Sequence, residues 1–149
     1  MSDAATFAAV FAALFAAHSF GDHWVQTHSQ ACRKGAPTAA GRLACLRHVA
    51  TLTTTKAFTL AAVAAVTGIA LTPLMVLLGL TVDAVSHYWA DRRVTLARLA
   101  DALGKGDFYR MGAPRPGTDD APHLGTGAYA LDQSWHVAWL FVAALLIAA

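Results

Sequence analysis

Residues 56 to 83 read KAFTLAAVAAVTGIALTPLMVLLGLTVD, and this stretch decides the fold. No charged residue lies between Lys56 and Asp83. A helix needs about 20 apolar residues to cross about 30 Å of hydrocarbon, so the stretch is either one long span or the two inner halves of a hairpin. Gly68 and Pro73 form a pair of helix breakers inside it. The sequence therefore favours a membrane hairpin that turns between Gly68 and Pro73.

The composition of the whole chain also indicates a membrane protein. Of the 149 residues 56% are apolar and 13% are charged, and the mean hydropathy is +0.47, whereas soluble domains carry about 25% charged residues. The apolar content and the lack of a glycine period exclude disordered and collagen-like chains. A net charge of +2 is too small to indicate a nucleic-acid-binding protein.

We expect an all-α protein, an integral membrane four-helix bundle that forms a single domain over residues 1–149. The first apolar run, 4–21, has no lysine or arginine before it, so it is interpreted as a retained helix and not as a cleaved signal peptide. The predicted helices cover about 4–26, 39–67, 73–103 and 129–149, and a soluble loop covers about 104–127.

The basic residues predict the orientation of this bundle. Apart from Lys56, every lysine and arginine lies between or just inside the first and second helices, or between the apolar parts of the third and fourth. By the positive-inside rule both of these regions are cytoplasmic, both termini are outside, and the chain is a multi-pass protein of the cell (inner) membrane. The residues concerned are Arg33, Lys34, Arg42, Arg47, Arg92, Arg93, Arg98, Lys105, Arg110 and Arg115.

The candidate chemistry lies in aspartates and histidines at helical spacing inside the apolar stretches. All nine acidic residues are aspartates. Residues four apart share one helix face, so each pair can point at one place. The sets are His18 and Asp22 with Gln26 one turn further, then Asp83, His87 and Asp91, then Asp132 and His136 with Gln133 adjacent. His48 on the second helix has no such partner.

The depth of each Asp–His set in the membrane can be estimated by counting residues along its helix. Counted inward from the outer helix ends at about 1.5 Å per residue, the three sets lie near one level in the cytoplasmic half. An unpartnered charge there costs about 2.5 to 3.5 kcal/mol. A divalent metal, zinc or manganese, offsets that cost; the alternative is a metal-free Asp–His hydrogen-bond network. The predicted ligands are His18, Asp22, Asp83, His87, Asp132 and His136, with His48 as the shallowest candidate.

The same residues lie in two motifs that resemble those of a known family. The segments HSFGDHWVQ at 18–26 and DQSWH at 132–136 resemble the H-x-x-G-D-x-x-x-Q and D-Q-x-x-H motifs of a family of small bacterial and phage membrane proteins of unknown function. The match spans nearly the whole chain. More distantly, the chain is similar to the inner-membrane metal-dependent hydrolases. The resemblance implies functional positions at His18, Asp22, Gln26, His48, Asp83, His87, Asp132, Gln133 and His136, with Gln26 and Gln133 beside the metal ligands. His23 stands where the family often has an aromatic residue.

Two further residues are candidates for catalysis. Asp91 lies one turn toward the cytoplasm from the third-helix histidine, where it could accept a proton from water; the alternative is an interfacial aspartate paired with Arg92 or Arg47. Lys56 lies at the depth of Asp83 and either forms an ion pair with it or contacts a substrate phosphate.

The remaining candidates have simpler interpretations. Cys32 and Cys45 match no metal or redox spacing and are expected to be free, reduced thiols. His23 and His28 are expected to be solvated at the membrane interface. His123 is expected on the surface of the loop, beside acidic residues.

Two classes of function remain open at this point. The first is a membrane-embedded, metal-dependent hydrolase acting on a phosphoester or an amphiphile. The second is a non-catalytic membrane protein whose buried site is structural or passes ions, such as a phage or prophage envelope factor. Membrane lipid is the expected partner, nucleic acid is not, and the sequence is compatible with a homo-oligomer. Four short helices without an internal repeat argue against a secondary transporter.

Overall fold

The computed structural model describes residues 3–114, 117 and 125–149, and its regular elements are all helical. Predictions for Arg115 and His123 lie outside the described residues. In chain order the elements are α1 (Asp3–Phe20), a π-helical turn (Gly21–Val25), α2 (His28–Arg33), α3 (Ala39–Thr67), α4 (Pro73–Asp91), α5 (Val94–Ala102), α6 (Gly106–Arg110) and α7 (Gly127–Ala148).

Local sequence sets the ends of the long helices. The side chain of Thr38 accepts a hydrogen bond from the Gly41 amide at the start of α3, as threonine does at helix N-termini. Gly68 ends α3 in the left-handed region at φ 71°, where glycine has no steric cost. Pro73 begins α4, a position where its missing amide hydrogen is not needed. The predicted helix breakers thus end one long helix and begin the next.

The helix expected over 73–103 is divided in the structure. α4 ends at Asp91, and α5 begins at Val94 after Arg93, whose φ is 58°. No glycine or proline marks this break. It is held instead by a distant contact, because the Arg92 guanidinium donates hydrogen bonds of 2.5 Å to the carbonyl oxygens of Lys34 and Ala36.

Two short helices lie in segments for which no helix was predicted. α2 begins with a capping box in which Thr27 and Gln30 bond reciprocally to each other's backbone. α6 lies between α5 and α7, and it packs against both of them. α7 itself begins at Gly127, two residues before the predicted start, because Thr126 caps it.

The four long helices pack side by side. α1 and α4 each contact both α3 and α7. An apolar core fills one end of this arrangement, where the middle of α1 meets the second half of α3, the first half of α4 and the second half of α7. Its buried members are Val10, Ala13, Leu14, Leu60, Leu80, Leu140, Ala143, Ala144 and Ile147. The buried histidines lie toward the other end.

In the described part of the chain, three helical segments are long and apolar enough to cross a membrane, namely Ala4–Val25, Ala39–Thr67 and Gly127–Ala148. α4 is not among those found in the described chain, and its second half carries aspartates and a histidine. Large apolar side chains such as Phe58 face outward, whereas Lys56 is fully buried. In soluble proteins, apolar side chains are mostly buried and charged ones are mostly exposed. The reverse arrangement here fits a lipid environment.

Candidate metal centre

Four buried histidines, one from each of the four long helices, cluster next to the apolar core. Each is at most 2% exposed. Neighbouring ring centroids lie 4.0 to 5.4 Å apart, and the rings of His87 and His136 are stacked at the shortest of these distances. The residues are His18 on α1, His48 on α3, His87 on α4 and His136 on α7.

Asp22 reaches this group from the π-helical turn. Its Oδ1 lies 3.1 Å from His48 Nε2 and 3.8 Å from His87 Nε2. Its Oδ2 lies 3.5 Å from His18 Nε2. π-helical turns occur often at functional sites because they redirect side chains within a helix. Here the turn lets one carboxylate approach histidines from three helices.

Asp91, the last residue of α4, also approaches His48 and His87. Its Oδ2 is 3.2 Å from His87 Nε2 and 3.4 Å from His48 Nε2. Its Oδ1 is 2.8 Å from the ammonium of Lys34 and 3.9 Å from His136 Nε2. The carboxylate is therefore surrounded by nitrogen atoms on both oxygens, and its side chain is only 2% exposed.

Asp132 on α7 is the more open carboxylate of the group. Its Oδ1 lies 3.4 Å from His136 Nε2, and its side chain is 27% exposed. Gln133 donates a 3.3 Å hydrogen bond from Nε2 to Asp132 Oδ2. The glutamine thus orients the carboxylate from outside the cluster, as partners of metal ligands commonly do.

These atoms are spaced closely enough to hold a metal ion. The Nε2 atoms of His48 and His87 are 3.0 Å apart, and ligands bound at about 2.0 to 2.2 Å around a tetrahedral ion stand about 3.3 to 3.6 Å apart. Among the described residues, three groups have ligand atoms within 4.8 Å of one another, and each combines aspartate with histidine. They are Asp22, His87 and His136; His48, His87 and Asp91; and Asp91, Asp132 and His136.

Several buried polar atoms of the cluster also lack a well-formed hydrogen bond to any described residue. They include Asp22 Oδ1, Asp91 Oδ2, His136 Nε2 and both ring nitrogens of His18. Such orphaned groups are rare in folded proteins and often mark an ion-binding or other functional site. The donor set, imidazole and carboxylate, is one that divalent metal ions bind.

Not every predicted ligand joins these groups. Asp83 lies deeper and forms a 2.6 Å ion pair with Lys56, and both side chains are buried. Neither Asp83 nor His18 is in the three groups found among the described residues, although the ring of His18 lies 5.1 Å from that of His136. The structure thus places His48 inside the cluster and Asp83 beside Lys56.

A cleft of about 680 Å³ reaches the cluster. Asp22, Asp91 and Asp132 line it, together with both predicted glutamines; Lys56 is not in the lining that the described residues form. Burial, aided by the charge of Asp132, raises the pKa of the Tyr109 phenol, so it stays protonated at neutral pH. Besides the three aspartates, the residues that line the cleft are His23, Gln26, Ala31, Lys34, Ala90, Arg93, Leu96, Tyr109, Thr126, Ala128, Tyr129 and Gln133.

Lys34 and Tyr109 line this cleft but were not predicted as site residues from the sequence. Lys34 was counted only as an orientation signal, and Tyr109 fell in the predicted loop. Lys34 reaches Asp91 because its backbone and that of Ala36 are held by Arg92. No periodicity links residues so far apart in the chain, so a tertiary contact was the only signal available.

A family model described as "Protein of unknown function (DUF3307)" matches residues 10–149. No match was found among curated proteins, and none among solved structures. The matched region contains every residue of the cluster and all the residues that line the cleft. The chain belongs to the DUF3307 family, a family of unknown function.

Proposed function

We propose that the protein is a membrane-embedded, divalent-metal-dependent hydrolase whose substrate, a phosphoester or an amphiphile, enters through the cleft. One observation carries the proposal. Buried histidine nitrogens and aspartate oxygens lie at ligand spacing beside an open cleft, and several of them have no well-formed hydrogen bond among the described residues. A purely structural Asp–His network would be expected to satisfy its own buried atoms.

The position of the apolar core argues for chemistry at the site and against the passage of ions through it. Leu14, Leu60 and Leu140 are at most 2% exposed and pack together beyond the histidines. The cleft approaches the cluster from the other end, where α5, α6 and the connection from α2 to α3 lie. An ion path would need polar atoms through this core, whereas a hydrolase needs only one entrance.

The membrane arrangement is part of the proposal. α4 acts as the fourth span of an integral membrane four-helix bundle, packed between α3 and α7 so that lipid does not contact its aspartates. The cleft and its basic residues face the cytoplasm of the inner membrane, and both termini face outward, as the positive-inside rule favours. Membrane lipid surrounds the outward apolar side chains.

The residues of the cluster divide into two roles. A divalent cation bound there would act as a Lewis acid on water and on a phosphoryl or carbonyl oxygen. His48, His87 and Asp91 would hold it, since their facing atoms are 3.0 to 3.4 Å apart. We therefore assign Asp91 to the ligands and not to proton transfer. Lys34 and Arg93 line the cleft and would attract an anionic group of the substrate.

The test is elemental analysis and turnover of one preparation, purified in detergent without a histidine tag or added metal. We expect bound zinc or manganese and hydrolysis of an activated phosphodiester such as bis(para-nitrophenyl) phosphate, both lost after chelation. His87→Ala should remove most of the metal and the turnover, because ligand binding requires this imidazole.

His28→Ala is the matched control, since His28 is exposed and contacts only Cys32 in the described part of α2. It should keep both metal and turnover. Protein that binds no divalent metal would refute the proposal. Metal in both variants at the wild-type level would refute the assignment of the ligands.

A further inference from the structure

The two oxygens of Asp91 face two different sets of ligand atoms. Oδ2 lies beside the Nε2 atoms of His48 and His87, at 3.4 and 3.2 Å. Oδ1 lies 3.9 Å from His136 Nε2. Resting on the metal site of the proposed function, we propose that the cluster holds two divalent cations and that the Asp91 carboxylate bridges them.

The first cation position is bounded by three ligand atoms that lie 3.0 to 3.4 Å apart, namely the Nε2 atoms of His48 and His87 and Asp91 Oδ2. Asp22 Oδ1 lies 3.1 Å from the same nitrogen of His48 and 3.8 Å from that of His87. These separations are close to the distance of about 3.3 to 3.6 Å between ligands of a tetrahedral zinc ion. Both carboxylate oxygens lack a well-formed hydrogen bond to a described residue.

The second cation position lies on the cleft side. His136 Nε2 is 3.4 Å from Asp132 Oδ1 and 3.9 Å from Asp91 Oδ1. This nitrogen is buried and makes no well-formed hydrogen bond among the described residues, so it has a lone pair or a proton without a proper partner. Because Asp132 also lines the cleft, a cation here would meet the substrate directly.

The ammonium of Lys34 already places a positive charge next to the second position. This group lies 2.8 Å from Asp91 Oδ1, where it neutralises the oxygen that the second cation would bind. Lys34 also lines the cleft, so its long side chain can turn outward when a cation takes its place. Three carboxylates and two divalent cations then leave a net positive charge, which suits an anionic substrate beside Arg93 and Lys34.

The separation expected for such a pair follows from the bridge. Two-metal hydrolytic sites hold their ions about 3.5 to 4 Å apart, so that both can stabilise the attacking and leaving oxygens. Two Mn²⁺ ions joined by a carboxylate at that distance are exchange-coupled. Their electron paramagnetic resonance spectrum differs from the six-line signal of an isolated Mn²⁺ ion.

The experiment is a titration of the full-length protein in detergent with Mn²⁺ after chelation and desalting. Bound manganese is counted by elemental analysis, and its spectrum is recorded at saturation. We expect two Mn²⁺ per chain with a coupled spectrum. Asp132→Asn should bind one Mn²⁺ with an uncoupled signal, Lys34→Met should bind the second ion more tightly than the wild type, and His28→Ala should match the wild type.

The possible failures are distinguishable. Wild-type protein that saturates at one Mn²⁺ per chain would overturn the two-metal proposal and leave the single site of the proposed function standing. Two ions in Asp132→Asn with an unchanged spectrum would overturn the second position. No bound ion in the wild type would overturn the proposed function as well. Because the wild-type stoichiometry decides first, the result does not depend on the folding of any variant.

Discussion

Lys56 is a charged residue in the middle of an apolar helix, and the structure shows what compensates it. The side chain has no exposed surface, and its ammonium contacts Asp83 Oδ2 at 2.6 Å. Removing one partner of a buried ion pair leaves the other charge uncompensated, which costs about 3 to 5 kcal/mol. Lys56→Met should therefore lower the thermal unfolding temperature in detergent strongly.

The double variant Lys56→Met with Asp83→Asn removes both charges and should recover most of the lost stability. Both proteins should keep the metal content of the wild type, because Asp83 lies outside the groups that could hold an ion among the described residues. If Asp83→Asn alone loses metal, the aspartate belongs to the ligands as the sequence predicted. If Lys56→Met unfolds at the wild-type temperature, the ion pair does not stabilise the fold.

At the scale of an element, the π-helical turn determines where Asp22 lies. Gly21 is buried against α3, and a Cβ atom there would overlap the side chain of Leu52. Gly21→Ala should push the turn away from α3 and lengthen the 3.1 Å approach of Asp22 to His48. We expect weaker metal binding in equilibrium dialysis and a lower unfolding temperature.

The overlap involves the end of a side chain, so space can be restored. Adding Leu52→Ala to Gly21→Ala should return metal affinity toward the wild type, although the smaller side chain leaves a cavity that itself lowers stability. Leu52→Ala alone is the control and should keep its metal affinity. Failure of the double variant to regain affinity would mean that Gly21 acts through the backbone conformation of the turn.

The elements also show where prediction from sequence succeeds and where it stops. Gly68 and Pro73 act locally, so the ends of α3 and α4 at the hairpin follow from the sequence. The end of α4 at Asp91 does not, because it depends on Arg92 binding carbonyl groups more than fifty residues away. In the same way, helical spacing identifies the aspartates and histidines, whereas the contact of Lys34 with Asp91 is purely tertiary.

Over the whole molecule, polarity is arranged along the length of the helices. One end holds an apolar core, and the other holds the clustered aspartates and histidines and the cleft. Residue counts along the helices predicted that the three Asp–His sets lie at a common depth in the membrane. The counts could not separate Asp83 from them, because one turn of difference in depth decides whether an aspartate meets Lys56 or the cluster.

Cys32 provides a test of how the whole molecule is oriented. This thiol is exposed and Cys45 is buried, so an impermeant maleimide should react with Cys32 alone. If the cleft faces the cytoplasm, as the positive-inside rule favours, Cys32 is unreactive in intact cells and reacts in inverted membrane vesicles. A Cys32→Ser, Cys45→Ser variant carrying Ala70→Cys reports the opposite end, because Ala70 is exposed in the turn between α3 and α4. This variant should react in intact cells. Labelling of Cys32 in intact cells, with Ala70→Cys protected, would show that the cleft opens to the outside and would move the substrate to that side of the membrane.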